Sequence, residues 1–305
     1  MNEVGAWLGD ALVAARLVRH RPGLWAAGAL GALGYLAWIP LVVTVAPALR
    51  ASDLAFFGAG LFSSSAFPWN VLALAALAAI VALLGCLVAA LAAAALHREE
   101  NDARSGWLGR DTEAAFGVLL LAALPAAAAA AALVSGIAAV APGEYGAPDI
   151  GVPLTLRIAL RLAPLVIALL VVSLLGQAFG ASAIRRAVGP GAASLGVALR
   201  DGFRDLIAHP LRRVATAAVC LLADLLALAG SIALLHLGWA SVEPALAGGR
   251  LISPGALLLL LGFVAIGLVL IGAFGVLNAW ESRWWSTELA RAGEGTPTLA
   301  REANP

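Results

Sequence analysis

Residues 254–280 read PGALLLLLGFVAIGLVLIGAFGVLNAW and contain no charged side chain. A helix needs about 20 mostly apolar residues to cross the hydrocarbon core of a bilayer, which is about 30 Å thick. Residues 254–280 meet this requirement, and the stretch is therefore typical of a membrane-spanning helix. Five other stretches of the chain also meet this requirement.

Together these stretches predict six spans, at about 22–48, 70–97, 112–141, 164–184, 211–239 and 254–280. We therefore expect an all-α, polytopic membrane protein with a single six-span domain over 1–285. Residues 286–305 are rich in Gly, Pro, Thr and Glu, which indicates a mobile cytoplasmic tail.

The composition of the whole chain supports the same class. Of 305 residues, 62% are hydrophobic and 12% are charged, and the mean hydropathy is +0.95. A soluble domain carries about 25% charged residues, so this composition excludes an ordinary cytosolic protein. The net charge is +1, which leaves no basic tail for nucleic acid. All 19 basic residues are arginine, which excludes a Walker A loop and a Schiff-base lysine.

The arginines also predict an orientation. Fifteen of the 19 fall on one side of the six-span layout, and the other side holds Arg50, Arg157, Arg161 and Arg250. Because short cytoplasmic loops carry the excess of positive charge, both termini are expected in the cytoplasm. The alanine-rich, lysine-free composition is typical of high-GC bacteria, so we expect the bacterial cytoplasmic (inner) membrane.

Two amphipathic segments precede the first and fifth predicted spans, at 3–21 and 194–209. In the second, the apolar stripe consists of Leu195, Leu199, Gly202, Phe203 and Leu206, and the opposite face carries Arg200, Asp201, Arg204 and Asp205. This pattern predicts helices that lie in the plane of the membrane interface.

Asp224 lies in the sequence CLLADLLALAG, near the middle of the fifth predicted span. A charged aspartate at the bilayer centre costs about 2.5–3.5 kcal/mol on insertion scales. The residue is therefore a candidate proton or cation relay, or a contact for a cationic substrate. The alternative is an interhelical hydrogen bond that secures packing and nothing more.

The best candidate partners for Asp224 are Arg157 and Arg161, at the outer mouth of the fourth span. Their spacing of four places both guanidinium groups on one helix face. They are expected to bind an anionic headgroup or substrate from outside, or to extend toward lipid phosphates. Arg161 lies about two turns shallower than Asp224, so a direct pair needs a tilted helix.

Small residues recur deeper in the fourth span. Ser173, Gly176 and Gly180 form a GxxxG stripe, which predicts the tightest helix contact in the bundle. Gln177 beside this stripe is expected to form a hydrogen bond across the seam.

The sequence contains no catalytic or metal-binding motif. Cys86 and Cys220 both fall inside predicted spans, so neither a disulfide nor a zinc site is expected. With Asp224 as the one acid near the middle of a predicted span, we expect that the chain is not an enzyme and that it binds no metal or cofactor.

The stretch ARLVRHRPGLWAAGALGALGYL, at 15–36, resembles the opening of a group of bacterial six-helix membrane proteins. These are proteins of the glycerophosphodiester-phosphodiesterase membrane-domain type and related uncharacterised families. The resemblance implies an amphipathic helix, a basic-x-Pro junction and a Gly-rich first span, and it implies no catalytic residues. The layout is also similar to the membrane subunit of an ABC-2-type exporter, in which the loop at 186–209 would dock a cytosolic ATPase.

Two classes of function therefore stay open. One is a transport or permease-type component for a small or lipidic substrate that passes near Asp224 and the Arg157–Arg161 mouth. The other is a non-transporting scaffold or assembly factor that docks partners through its cytoplasmic amphipathic helices. The expected partners are membrane lipids, together with an ATPase, another membrane subunit or a second copy of the chain, and no nucleic acid.

Overall fold

The structure is a computed structural model that describes residues 3–34, 36–45, 64–101, 108–145, 154–189, 192–247 and 253–291. Within these ranges the chain forms ten helices and no strand. They are α1 (Glu3–Arg19), α2 (Pro22–Ala32), α3 (Trp38–Val45), α4 (Trp69–Glu100), α5 (Leu108–Tyr145), α6 (Leu154–Arg161), α7 (Ala163–Ala187), α8 (Leu195–Ala208), α9 (Pro210–Ala247) and α10 (Pro254–Arg291). The predicted tail lies mostly outside the described residues.

Five of these helices, α4, α5, α7, α9 and α10, are long and apolar enough to cross a membrane. The prediction of an all-α, multi-pass membrane protein is therefore confirmed in its coarse form. Most residues in the apolar parts of these helices are not buried inside the protein. Such an outward-facing apolar surface is expected where lipid tails are the solvent.

The first predicted span, 22–48, does not form one continuous helix. α2 ends at Ala32, turns follow at 33–34 and 36–37, and α3 begins at Trp38. Pro40 supplies the physical reason, because a helix running through it would lose one backbone hydrogen bond and clash with the carbonyl of Leu36. The turn is closed by backbone bonds from Gly34 N to Gly31 O, 3.0 Å, and from Ala37 N to Ala32 O, 2.9 Å. Neither helix alone is long enough to cross a membrane.

The long helices and α2 form a closed ring. α2 packs against α4, α4 against α5, α5 against α7, α7 against α9, α9 against α10, and α10 returns to α2. α3 leaves the ring and packs on α9, whereas α1 lies along α10 and α8 lies along α7. One end of the ring, here called the arginine-rich end, carries α1, α8 and the last turns of α4, α7 and α10.

The closest helix contact lies between α2 and α10. A Cβ atom on Gly28 would overlap the carbonyl oxygen of Gly275, and one on Gly275 would lie 2.5 Å from the carbonyl oxygen of Trp25. The predicted stripe on α7 packs less tightly against α5, where a Cβ on Gly176 would lie 2.7 Å from Ala122 O. The prediction that this stripe makes the tightest contact is therefore wrong, because Gly28 and Gly275 face each other at the α2–α10 crossing, whereas Gly176 faces Ala122.

Candidate functional site

A cavity of about 230 Å³ lies inside the ring, between α2, α4, α5, α7 and α10. Much of its wall consists of small apolar residues, and its polar groups are His97, Gln177, Arg185, Asn278, Glu281 and Ser282. Ligand sites in proteins combine an apolar lining with a few placed polar groups in about this way, at volumes of roughly 300–1,000 Å³. The cavity therefore suits a small molecule or part of a larger one.

The predicted stripe on α7 contributes one side of this cavity. Gly176, Gln177 and Gly180 all line it. Ser173 lies about one turn before Gly176 and is not part of the lining. Both glycines also pack closely against Ala122 of α5. Across the cavity, the amide of Asn278 donates to the carbonyl oxygen of Gly28, at 2.9 Å, which ties α10 to α2.

Arg185 lies at the arginine-rich end of the cavity, near the end of α7. Its Nε donates to Ser286 Oγ at 3.0 Å, its Nη1 to Ala181 O at 2.9 Å, and its Nη2 to Ser282. The hydroxyls of Ser282 and Ser286 in turn donate to the two carboxylate oxygens of Glu100, at 2.8 and 2.6 Å. Two serines therefore link this cation to a buried acid on α4.

Asp224 lies beside another acid, Glu281 on α10, and the two carboxylates interact electrostatically. Asp224 Oδ1 and Glu281 Oε1 are both buried and have no hydrogen-bond partner among the described residues. Glu281 lines the cavity, whereas Asp224 is not among the residues of its wall. Both carboxylates also interact electrostatically with the thiol of Cys220 on α9. The neighbour of Asp224 is thus an acid and not one of the arginines proposed from the sequence.

Arg157 and Arg161 have a different partner, Glu144 near the end of α5. Arg161 Nε lies 2.6 Å from Glu144 Oε1, and Arg157 Nε lies 3.3 Å from Glu144 Oε2. Arg157 also donates to the Glu144 carbonyl oxygen at 2.8 Å. Both arginines belong to the separate helix α6, at the end of the bundle away from α1 and α8. The structure therefore brings Gln177 and Asp224 near the cavity and leaves Arg157 and Arg161 far from it.

A second group of charges is buried at the arginine-rich end, around Arg213. The exposed fraction of this side chain is 0%. Its Nε and Nη2 donate to Asp205 on α8 at 2.8–3.1 Å, and its Nη1 donates to Glu288 on α10 at 2.9 Å. Thr216 donates to Glu288 and Ser182 donates to Asp205, each at 2.6 Å. This network joins four helices.

The network around Arg213 continues to α1. The indole of Trp7 donates to Thr216 Oγ1 at 2.9 Å, and Asp10 forms ion pairs with Arg212, at 3.6 Å, and with Arg291. Desolvation by burial raises the pKa of Asp10, although both arginines act in the opposite direction. The hydrogen bonds and ion pairs hold α1 against the ends of α9 and α10.

The faces of α8 differ from the prediction, most clearly at Asp205. Ala198, Gly202 and Asp205 face the bundle, whereas Arg200 and Arg204 are exposed and Leu199 packs partly against α7 and α5. Asp205 was predicted on the polar outer face, and this was wrong because it forms the buried pair with Arg213. Phe203 is 57% exposed and points away from the bundle.

Sequence reasoning missed the main charged groups of both sites, namely Glu100, Arg185, Arg213, Glu281 and Glu288. Each of these residues lies close to an end of a predicted span or beyond it, where the run of apolar residues stops. The sequence therefore assigns them to the solvent-exposed ends of the helices. The helices continue past these limits. A usable signal was the spacing of 281, 285 and 288, which places three residues on one helix face.

Comparison with protein-family models, with curated proteins and with solved structures finds no match for this chain. Its function must therefore be argued from the cavity and the charges around it. No group of three or more His, Cys, Asp or Glu residues that could hold a metal ion occurs in the described part of the chain.

Proposed function

We propose that this chain is a transport or permease-type component of the bacterial cytoplasmic membrane, and that the cavity is its binding site for a small or lipidic substrate. The observation that carries the proposal is a cavity inside a bundle of apolar helices, lined by Gln177, Asn278 and Glu281. Polar groups within membrane spans are costly, and they commonly mark pathways for substrates or ions.

A role limited to packing accounts poorly for this cavity. Protein interiors are close-packed, and voids larger than a water molecule are few. In a helix bundle held together by glycine and alanine contacts, larger apolar residues at positions such as Ala181 would fill the space. The cavity instead keeps a buried carboxylate oxygen of Glu281 without a partner, which favours a substrate or an ion as its partner.

The entrance belongs, in this proposal, at the arginine-rich end. His97, Arg185, Ser282 and Trp285 line the cavity and lie near the ends of their helices at this end. In the other direction, Ala32, Leu36 and Phe274 form a buried apolar cluster one turn beyond Gly31. In this proposal the cluster closes the cavity toward the opposite end, as in one state of an alternating-access cycle.

The proposal includes the membrane arrangement. α2 and α3 together make the first of six crossings, both termini lie in the cytoplasm, and the arginine-rich end faces the cytoplasm in accord with the positive-inside rule. α8 lies in the membrane interface. We propose no catalytic activity and no cofactor.

Substrate counterflow tests the binding site without any ion gradient. Small polar compounds and lipid headgroups are first screened for those that raise the melting temperature of the purified protein. The compounds found are then exchanged across proteoliposomes that contain the wild type, Ala181→Phe, which fills the cavity, or Leu170→Phe on the outer surface of the same helix. We expect exchange by the wild type and Leu170→Phe and none by Ala181→Phe. Equal exchange, or none, by all three contradicts the proposal.

The second candidate is a scaffold that docks partners through α8. The observation in its favour is the outer face of this helix, where Phe203, Ile207, Arg200 and Arg204 are exposed. A cytosolic ATPase, another membrane subunit or a second copy of the chain would bind there. Crosslinking from this face in intact membranes, together with the absence of counterflow, would favour the scaffold.

A further inference from the structure

Asp224 and Glu281 lie on the adjacent helices α9 and α10, and their two carboxylates interact electrostatically. One oxygen of each is buried without a hydrogen-bond partner. Glu281 also lines the cavity, so this unpartnered group is reached from the cavity and is not sealed in the core. The arrangement leaves negative charge in an apolar interior, which is costly unless a positive charge accompanies it.

The neighbouring cations do not supply that charge, because each has other partners. Arg185, on α7, is held by Ser282, Ser286 and Ala181. Arg213, further toward the arginine-rich end of α9, is held by Asp205 and Glu288. The titratable or charged groups around the pair are Cys220 on α9, Arg185 on α7, His97 and Glu100 on α4, and Glu288 on α10.

We propose that Asp224 and Glu281 together bind one exchangeable monovalent cation, a proton or an alkali-metal ion, which enters through the cavity. The charge of the cation offsets the repulsion between the two carboxylates, and its binding draws α9 and α10 together. A divalent ion fits less well, because Ca²⁺ takes 6–8 oxygen ligands and Mg²⁺ requires near-octahedral geometry. The described residues offer no third acid, histidine or cysteine that completes such a set.

The cation site goes beyond the substrate site but rests on the same cavity. If the chain is a transporter, a cation held by Glu281 in the wall of the same cavity provides a means of coupling. The two ideas fail separately, because counterflow needs no cation gradient and cation binding needs no substrate.

Two measurements on the purified, full-length protein test the proposal. Thermal unfolding is followed in NaCl, KCl and N-methylglucamine chloride at equal ionic strength, for the wild type, Asp224→Asn and Glu281→Gln. Infrared difference spectra recorded over a pH titration report any protonated carboxyl group. Glu243→Gln is the matched control, because it removes an exposed acid from α9.

An alkali ion as ligand gives a saturable rise of the melting temperature in NaCl or KCl that Glu281→Gln and Asp224→Asn lose and Glu243→Gln keeps. A proton as ligand gives no salt-specific rise but a protonated-carboxyl band that the same two variants lose. If either variant fails to fold, the wild type still decides. A wild type that shows neither an alkali-specific shift nor a protonated-carboxyl band overturns the proposal, as does a signal that persists in both variants.

Discussion

Arg213 shows at the scale of one residue how the arginine-rich end is held together. Its guanidinium group is wholly buried and bonded to Asp205 and Glu288. Removing one partner of a buried ion pair leaves an uncompensated charge, which costs about 3–5 kcal/mol. We therefore predict that Arg213→Met strongly destabilises the protein in detergent, as measured by its melting temperature and its unfolding in SDS.

Arg200→Met is the matched control for this prediction, because Arg200 is exposed on α8. It should change stability by no more than about 0.5 kcal/mol, as surface substitutions usually do. If both arginine variants have the melting temperature of the wild type, the buried network does not hold α8 and α10 together as described.

Individual residues were predictable only where the apolar pattern set them apart. Asp224 stood out because leucines flank it on both sides, and the structure places it near the cavity. Glu281 did not stand out, because it directly follows Trp280, where the predicted span ended. Its partnership with Asp224 depends on which helices are neighbours, and sequence spacing carries no such information. For the same reason Arg157 and Arg161 were assigned to Asp224, whereas the structure pairs them with Glu144.

The contact between α2 and α10 provides a test at the scale of secondary-structure elements. A Cβ on Gly275 would lie 2.5 Å from Trp25 O and 2.9 Å from Ala29 N, and these backbone atoms cannot move without shifting α2. We predict that Gly275→Ala lowers the free energy of unfolding by about 1–3 kcal/mol, as overpacking usually does. Gly272→Ala, one turn away, meets open space. It should keep or slightly raise the melting temperature, since alanine is the better helix former by about 1 kcal/mol.

The outer face of α8 provides a second test at this scale. Phe203 and Arg200 point outward but differ in character, so an interfacial helix places the first in lipid and the second near water. We predict that a nitroxide on Phe203→Cys is relaxed more by oxygen than by a water-soluble nickel chelate, and that Arg200→Cys gives the reverse. Both variants are made with Cys86→Ser and Cys220→Ala. Equal access of the nickel chelate to both sites would place α8 in water, as the scaffold function requires.

The long elements were predicted closely, because a run of apolar residues has one stable form in lipid, the helix. The predicted limits of 254–280 lie inside α10, and those of 70–97 lie inside α4. The first span was not predicted closely, because hydropathy does not show that Pro40 interrupts a helix over 22–48. The helices also extend beyond the predicted limits of the spans. Their last turns contain charged residues and few apolar ones, and yet these turns are still helical.

The whole molecule combines an apolar exterior with buried charges concentrated at one end. Arg185 lines the cavity and is linked to Glu100 through two serines, and Arg213 is buried with Asp205 and Glu288 at the same, arginine-rich end. This division is consistent with the proposed function, in which the charged end surrounds the entrance and the buried apolar cluster of Leu36 and Phe274 lies in the other direction.

Access of water to the cavity tests this account most directly. In a protein carrying Cys86→Ser and Cys220→Ala, a single cysteine is placed at Gln177 and treated with a membrane-impermeant, positively charged thiosulfonate. Leu170→Cys, which replaces a side chain 49% exposed on the apolar surface of α7, is the lipid-facing control. Ser194→Cys, exposed beside α8, is the accessible control. Labelling is compared between intact cells and inside-out vesicles.

We predict that Gln177→Cys and Ser194→Cys react in inside-out vesicles while Leu170→Cys stays unlabelled. A Gln177→Cys protein that stays unlabelled from both sides while Ser194→Cys reacts would contradict the account.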